Sequence, residues 1–208
     1  AAEPERRGTV FLSVGANTYR KRFDVLVEAF ARAKLSLPDA RLIIKTDSSK
    51  KPGGFDLQHL IGCHDTSGAV SIIDREMSDA EMAGLYASSD IYVHTAEWEG
   101  FGIPAVEAMA CGLPVVTHPV QGPGELVPYP DLLVSGSNVM QDGDVELLLG
   151  NPRAFADMMV RLAGDSELAR FASIKGRRVA LDRFDIRKVT ATWLQLLADD
   201  FASRRPVS

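Results

Sequence analysis

Cysteine is nearly missing from this chain: only Cys63 and Cys111 occur in 208 residues. A disulfide-dense scaffold is thereby excluded and a reducing, cytoplasmic compartment is expected. Cys111, inside an apolar stretch, reads as a small buried residue. No uninterrupted apolar run approaches the ~20 residues a bilayer span needs, and no basic-then-apolar start marks a secretory signal. Positive charge is also short, with 23 Lys and Arg against 28 Asp and Glu and a net charge of −5. That balance argues against nucleic acid as a partner, since nonspecific binding needs a broad basic face. Any phosphate site must therefore be built locally. There is no internal repeat, and 46% apolar with 25% charged residues is ordinary for a globular domain.

What is present is an alternation. Apolar runs of strand length exchange with helical patterns: Thr9–Val14 then Lys21–Lys34, Arg41–Lys45 then Phe55–Ile61, Val70–Ile73 then Ser78–Ser88. Ile91–His94, a Pro104–Cys111 helix and Leu113–Val116 continue the series, with a weaker strand expected at Asp131–Val134. This pattern implies an α/β fold, a Rossmann-like parallel sheet with helices on both faces. Pro123–Asn151 reads as loop-rich, and three helices are expected in residues 151–208, near Pro152–Leu162, Ser166–Asp182 and Ile186–Ala202. Asp185 can cap the last of these, whose Val189, Trp193, Leu196 and Leu197 form one apolar stripe. The opening Ala1–Arg7 reads like a cut at an interdomain linker, and Ser203–Ser208 like a frayed tail.

Residues 97–116 carry most of the chemistry. Here the strand Ile91–His94 runs into a loop with Gly100 and Gly102, then a helix that Pro104 opens and Gly112 closes. The first N–H groups of such a helix, near Phe101, Gly102 and Ile103, have no partner inside it, and the glycines let a diphosphate approach the main chain. Glu107, expected in the first turn, leans back toward the loop that carries Glu99. Carboxylates repel phosphate oxygens, so the sensible partners of Glu99 and Glu107 are hydroxyls at the two ends of a phosphate-centred molecule. A nucleotide sugar has that shape.

The run Glu99-Gly-Phe-Gly-Ile-Pro-x-x-Glu107-Ala-Met-Ala-x-Gly-x-Pro-Val-Val116 resembles the donor-binding signature of the family 4 retaining glycosyltransferases of GT-B fold. The resemblance implies that residues 1–208 are a single nucleotide-sugar-binding domain, one Rossmann-like half of a GT-B enzyme, with the N-terminal acceptor half absent from this chain. It implies transfer of a sugar, with retention and without a metal, from a nucleotide diphosphate donor linked to UDP or GDP. The acceptor would be the hydroxyl of a glycan, lipid or other compound bound through the missing half, and no further cofactor is needed. Any peripheral contact with the cytoplasmic face of a membrane would likewise lie outside this domain. A final helix like Ile186–Ala202 would pack back onto the other half.

For single residues, the resemblance makes Glu107 the acceptor from the ribose hydroxyls, Glu99 the holder of the sugar hydroxyls, and Lys21 the phosphate-binding lysine, with Glu99 and Lys21 as catalytic groups. Lys21 follows the loop that begins at Gly15, where the family places an arginine at the position of Ala16; either Arg20 or Arg22 replaces it, Arg20 being preferred, or the diphosphate is held more weakly. Val120–Glu125 corresponds to the family's Gly-Gly-x-x-Glu turn and keeps Gly122 and Glu125, which the resemblance places among the donor-binding residues. Leu85-Tyr86 resembles a packing and capping element, and the base would lie near the loop after Ile73, where Asp74-Arg75 stand in place of glycine. His94 and Thr95 replace a common Pro-Ser pair; His94 reads as a hydrogen-bonded structural residue, and His118 less as a ligand still. Two competing patterns are weaker. Gly100-x-Gly102-x-x-Ala105 with Glu125 some 20 residues on fits a dinucleotide fingerprint, the mark of an oxidoreductase, but stands at the fourth strand instead of the first. Asp142-Gly143-Asp144 resembles a metal-binding Asp-x-Asp but reads as a surface turn. A nonenzymatic nucleotide- or sugar-binding module on the same fold remains open.

Overall fold

The computed structural model describes residues 8–47, 53–119, 121–135, 138–142 and 145–203. Five strands, β1 (Val10–Val14), β2 (Arg41–Lys45), β3 (Val70–Ile73), β4 (Ile91–His94) and β5 (Val115–Thr117), form one sheet in the order β3-β2-β1-β4-β5. All four pairings are parallel, with Phe11 beside Leu42 and Ile91 in the middle of the sheet. A parallel strand inside such a sheet has no wet face, which is why β4 is buried at every residue.

The connecting helices are α1 (Phe23–Lys34), α2 (Leu57–Cys63), α3 (Asp79–Ala87) and α4 (Ile103–Ala110). α1 buries Phe23, Leu26, Val27, Phe30 and Ala33, the stripe that a 3.6-residue period places on one side. α3 starts at a capping box in which Ser78 and Glu81 satisfy each other's backbone N–H groups. Because the chain steps outward from β1 through β2 to β3 and then returns to add β4 and β5, right-handed crossovers put α1 and α4 on opposite faces. The helices α6 (Pro152–Gly164) and α7 (Ser166–Arg183) complete the cover, α6 packing on α1 and α7 on α4. Asn151 and Asp165 cap them, as their side chains accept from Ala154 N and Leu168 N at 3.3 and 2.9 Å. α8 (Ile186–Ser203) follows, with Asp185 accepting from Arg187 N at 3.0 Å as expected. Its Ile186, Trp193, Leu194, Leu196 and Phe201 are exposed.

Two expectations change. Asp131–Val134 is no strand: Pro130–Leu132 is a single 3-10 turn, and only Val134 reaches the sheet, donating to Thr117 O at 2.8 Å. Pro130 has no N–H to give a ladder, so the segment cannot extend the pairing. Within the stretch read as loop-rich lie a short helix α5 (Gln121–Leu126) and an antiparallel hairpin of β6 (Asn138–Asp142) and β7 (Val145–Leu149). Glycine and proline at 122–124 hide a six-residue helix from any periodicity. Ala1–Arg7, Gly143-Asp144 of the Asp-x-Asp pattern, and all but the first residue of the Ser203–Ser208 tail lie outside the described residues.

β5 ends the sheet, and its Val115 N–H is met by the Tyr129 hydroxyl at 2.8 Å, a contact buried beneath the turn. Replacing Tyr129 by Phe keeps the ring and orphans that amide. We expect Tyr129→Phe to lower the unfolding free energy by about 1–3 kcal/mol, read from urea melts; a loss below half a kcal/mol would show that water reaches Val115.

Candidate functional site

The chain reverses its direction of growth between β1 and β4, and open parallel sheets bind ligands outside the carboxyl ends of the strands at such a point. Two loops meet there, Gly15–Arg22 after β1 and Thr95–Gly102 after β4. They are stitched by main-chain contacts: Thr95 Oγ1 donates to Lys21 O or Arg22 O at 3.0 and 3.1 Å, and Glu97 N donates to Arg20 O at 2.8 Å. Lys21 lies in a 3-10 turn (Tyr19–Lys21) before α1, not in the helix itself.

At the centre Glu99 accepts through one oxygen, Oε2, from Lys21 Nζ and, at 2.9 Å, from Arg20 Nη1. The Arg20 guanidinium also donates to Trp98 O at 3.3 Å and lies 5.1 Å from the Trp98 ring centroid, a cation–π distance. Lys21 is 7% exposed. Burial pulls its ammonium below the ordinary lysine range, against the hydrogen bond and charge of Glu99. Burial pushes the Glu99 carboxyl up, but the contacts with Lys21 and Arg20 outweigh that and hold it below the usual carboxylate range. Arg22 has other work: its fork grips Asp24 at 2.9 and 2.6 Å and reaches Glu97 at 3.4 Å. Of the two candidate replacements for the arginine missing at Ala16, Arg20 is the one that faces Glu99.

Gly102, with φ of 83°, is the N-cap of α4, and no side chain caps the helix. The positive φ suits glycine, and a Cβ there would also lie 2.6 Å from the Pro123 ring of α5. α5 presses on the loop from the other side, with Gly122 N donating to Glu99 O at 3.0 Å and no room for a Cβ against the Phe101 backbone. Gly100 has open space around it. Gly15 lies under the Lys21 side chain, whose Cε would be 3.1 Å from an added Cβ, so this glycine gives the lysine its path across the loop. Phe101 and Ile103 are exposed beside the helix start. Glu125 is exposed on α5, and no contact places it against Glu99 or Glu107.

Glu107 is the fifth residue of α4, one residue deeper than expected, and is exposed. Its Oε2 accepts from the Tyr86 hydroxyl at 2.8 Å. Sequence reasoning assigned Tyr86 to packing and capping; its helical position on α3 gives no sign of the partner 21 residues away. Tyr92, on β4, donates to Val14 O at 3.2 Å, and its hydroxyl is pushed up by burial and also feels both Glu99 and Glu107. Both acids are thus within electrostatic reach of Tyr92. Next to them an open cavity of about 460 Å3 is lined by Gly15, Ala16, Thr46, Glu76, Met77 and Met82 among others. Cys111 is half-buried instead of fully enclosed.

His94 ends β4 fully enclosed, stacked on Tyr92 at 6.3 Å, with no hydrogen-bond partner at Nε2, contrary to the expected bonded role. Burial, aided by the charge of Lys21, pushes its pKa down to about 3. His118 is buried too, its Nε2 lying 2.6 Å from Ala96 O, which it can meet only as a donor, and burial lowers its pKa. Among the described residues no group of three or more His, Cys, Asp or Glu is placed to hold a metal.

The family model described as "Glycosyl transferases group 1" matches residues 2–137. The chain belongs to the group 1 glycosyl transferases. It is 31% identical over 189 residues to a D-inositol 3-phosphate glycosyltransferase of Xylanimonas cellulosilytica, a match that covers 88% of this chain and 40% of the relative. Among solved structures it is similar to sucrose-phosphate synthase of Thermosynechococcus elongatus, at a TM-score of 0.77 and 24% identity over 94% of this chain and 46% of that one. It is also similar to Anabaena HepE in complex with UDP-glucose, at a TM-score of 0.76 and 20% identity over 92% and 49% of the two chains. These likenesses establish the fold as one Rossmann-like half of a GT-B glycosyltransferase. The chain spans 40–49% of the length of the first curated relatives it matches.

His94 makes the fold acid-sensitive. Its folded pKa of about 3 lies below the ordinary 6.5, so its contribution is fully present above pH 6.5 and is lost as pH falls from 6.5 toward 3. In that window the unfolded chain takes up a proton that the native one refuses, at about 1.4 kcal/mol per pH unit. Urea midpoints measured between pH 7 and 4 should fall, and His94→Leu should flatten the slope; parallel slopes would show that His94 is protonated in the native state.

Proposed function

We propose that this group 1 domain is the donor-binding half of a retaining glycosyltransferase that moves a sugar from a UDP- or GDP-linked donor to an acceptor hydroxyl, without a metal. The observation that supports it most is the arrangement at one helix start: Lys21, Arg20 and the uncapped N-terminus of α4 converge, with Glu99 on one side and Glu107 on the other. Exposed amides near Phe101, Gly102 and Ile103 receive the diphosphate. Glu107, steadied by the Tyr86 hydroxyl, accepts from the ribose hydroxyls, and the base occupies the cavity beyond Gly15, bounded by Met77 and Met82. Glu99 takes the hydroxyls of the sugar.

As the glycosidic bond breaks, negative charge grows on the leaving diphosphate. Fixed dipoles and a buried ammonium aimed at that point stabilise this charge without reorganising. Lys21 and the α4 amides supply both. Glu125, exposed on α5, is a further donor contact in this scheme. The acceptor, whether glycan, lipid or another hydroxyl compound, binds to the other half of the enzyme, and the exposed stripe of α8 docks there. Membrane contact, where the whole enzyme makes it, belongs to that half. No helix among the described residues is long and apolar enough to cross a bilayer.

Calorimetric titration of UDP, GDP and their sugar conjugates tests the reading. Glu107→Ala should weaken binding at least tenfold, since a charged acceptor's hydrogen bonds contribute about 1.5–3 kcal/mol each. Tyr86→Phe should give a smaller loss in the same direction. Equal affinities for the parent and Glu107→Ala would remove the ribose role. Protection against thermal unfolding by NADH but by neither UDP nor GDP would replace the transferase reading with that of an oxidoreductase.

A further inference from the structure

The two cations of the site share one anionic partner. A single carboxylate oxygen, Glu99 Oε2, holds both Lys21 and Arg20, and the three side chains are 8, 32 and 14% exposed for Lys21, Arg20 and Glu99. At that degree of burial, charge contacts are screened far less than on an open surface. A diphosphate arriving on the same cations meets Glu99 as a rival anion. The carboxylate must either stay and repel the phosphate oxygens or leave and find new donors. Trp98, through its ring face and carbonyl, keeps the Arg20 guanidinium at the loop, so the cation does not follow a departing Glu99.

We infer that Glu99 is a built-in competitor of the diphosphate, displaced at little cost only by a ligand that carries sugar hydroxyls beyond its diphosphate, on the side away from the ribose. This rests on the donor-site reading and deepens it. A sugar nucleotide offers the departing carboxylate O–H groups in exchange for the two ammonium-type partners it gives up. Inorganic pyrophosphate offers none, and the ribose hydroxyls of a bare nucleoside diphosphate go to Glu107. The site therefore discriminates against the bare nucleoside diphosphate, which is also the product that must leave after transfer. Arg22 takes no part, since Asp24 and Glu97 hold it.

The sign of one substitution separates this from a site in which Glu99 only binds sugar. Glu99→Gln removes the rival charge and keeps the shape. By calorimetry on the 208-residue chain, pyrophosphate, UDP and GDP should each bind about three- to tenfold tighter to Glu99→Gln than to the parent. UDP-glucose and GDP-mannose should bind no tighter, so the preference for the conjugate over the free nucleotide shrinks. Glu99→Ala, checked for folding by its melting curve, should show the same sign. In an Arg20→Ala, Lys21→Met background the gain should vanish, because the contested cations are gone. Unchanged or weaker binding of pyrophosphate to Glu99→Gln, or a gain that survives in that background, overturns the inference. If the parent chain binds no nucleotide at all, the donor-site reading falls, while the pyrophosphate arm still decides the competition.

Discussion

One carboxylate ties the halves of this site together. Glu99, carried by the loop after β4, reaches Lys21 and Arg20 on the loop after β1, and that bond exists only because the sheet order sets β1 beside β4. Two cations beside the positive end of α4 would repel each other and the helix if left alone; the carboxylate offsets this. It also shows how a chain of net charge −5 can gather two cations at one point. Local placement of two positive side chains and a set of backbone dipoles outweighs the global balance at a few ångströms, where Coulomb energies are largest.

Around that ion group the main chain does the positioning. Glu97 takes part twice, its N–H donating to Arg20 O at 2.8 Å and its carbonyl accepting from Leu148 N of the hairpin at 2.9 Å. Gly122 N holds Glu99 O from α5, so three separate segments fix one short loop. Side chains mounted on a loop pinned in this way lose little further freedom on binding, and less of the interaction energy goes into ordering them. Glu107 reaches the same end by another route: it sits on a regular helix, and the Tyr86 hydroxyl sets the orientation of its carboxylate.

The sheet, its helices and the signature loop were legible because each obeys a local rule. β-branched and aliphatic runs of four or five residues, capped helices such as α3 and α6, and Pro104 just inside α4 all show in sequence within a few positions. What escaped is long-range or short. Tyr86 and Glu107 are 21 residues apart, Arg20 and Glu99 are 79 apart, and no periodicity links either pair. α5 is a helix made of Gln121-Gly-Pro-Gly-Glu-Leu126, whose propensities oppose helix; its glycines are needed because the Phe101 backbone and Pro119 leave no room for side chains. The run Asp131–Val134 looked like a strand by composition, and Pro130 with the sheet edge at β5 decided otherwise.

His94 shows how the interior of the domain conditions the chemistry at its surface. A histidine at the end of a central parallel strand, enclosed on all sides, stays neutral well below neutral pH, and the neighbouring Lys21 adds to that preference. Neutrality matters, since a third positive charge at this strand end would compete with Lys21 for Glu99. Apolar packing of Tyr92, His94 and the strands beside them thus lowers the local dielectric and fixes the charge count of the site at two cations and one anion. The same enclosure strengthens the Glu99 contacts and makes their exchange for a ligand's groups consequential. The close Glu99 contacts and the lowered pKa of His94 then share one origin, the burial of ionisable groups at the carboxyl end of β4.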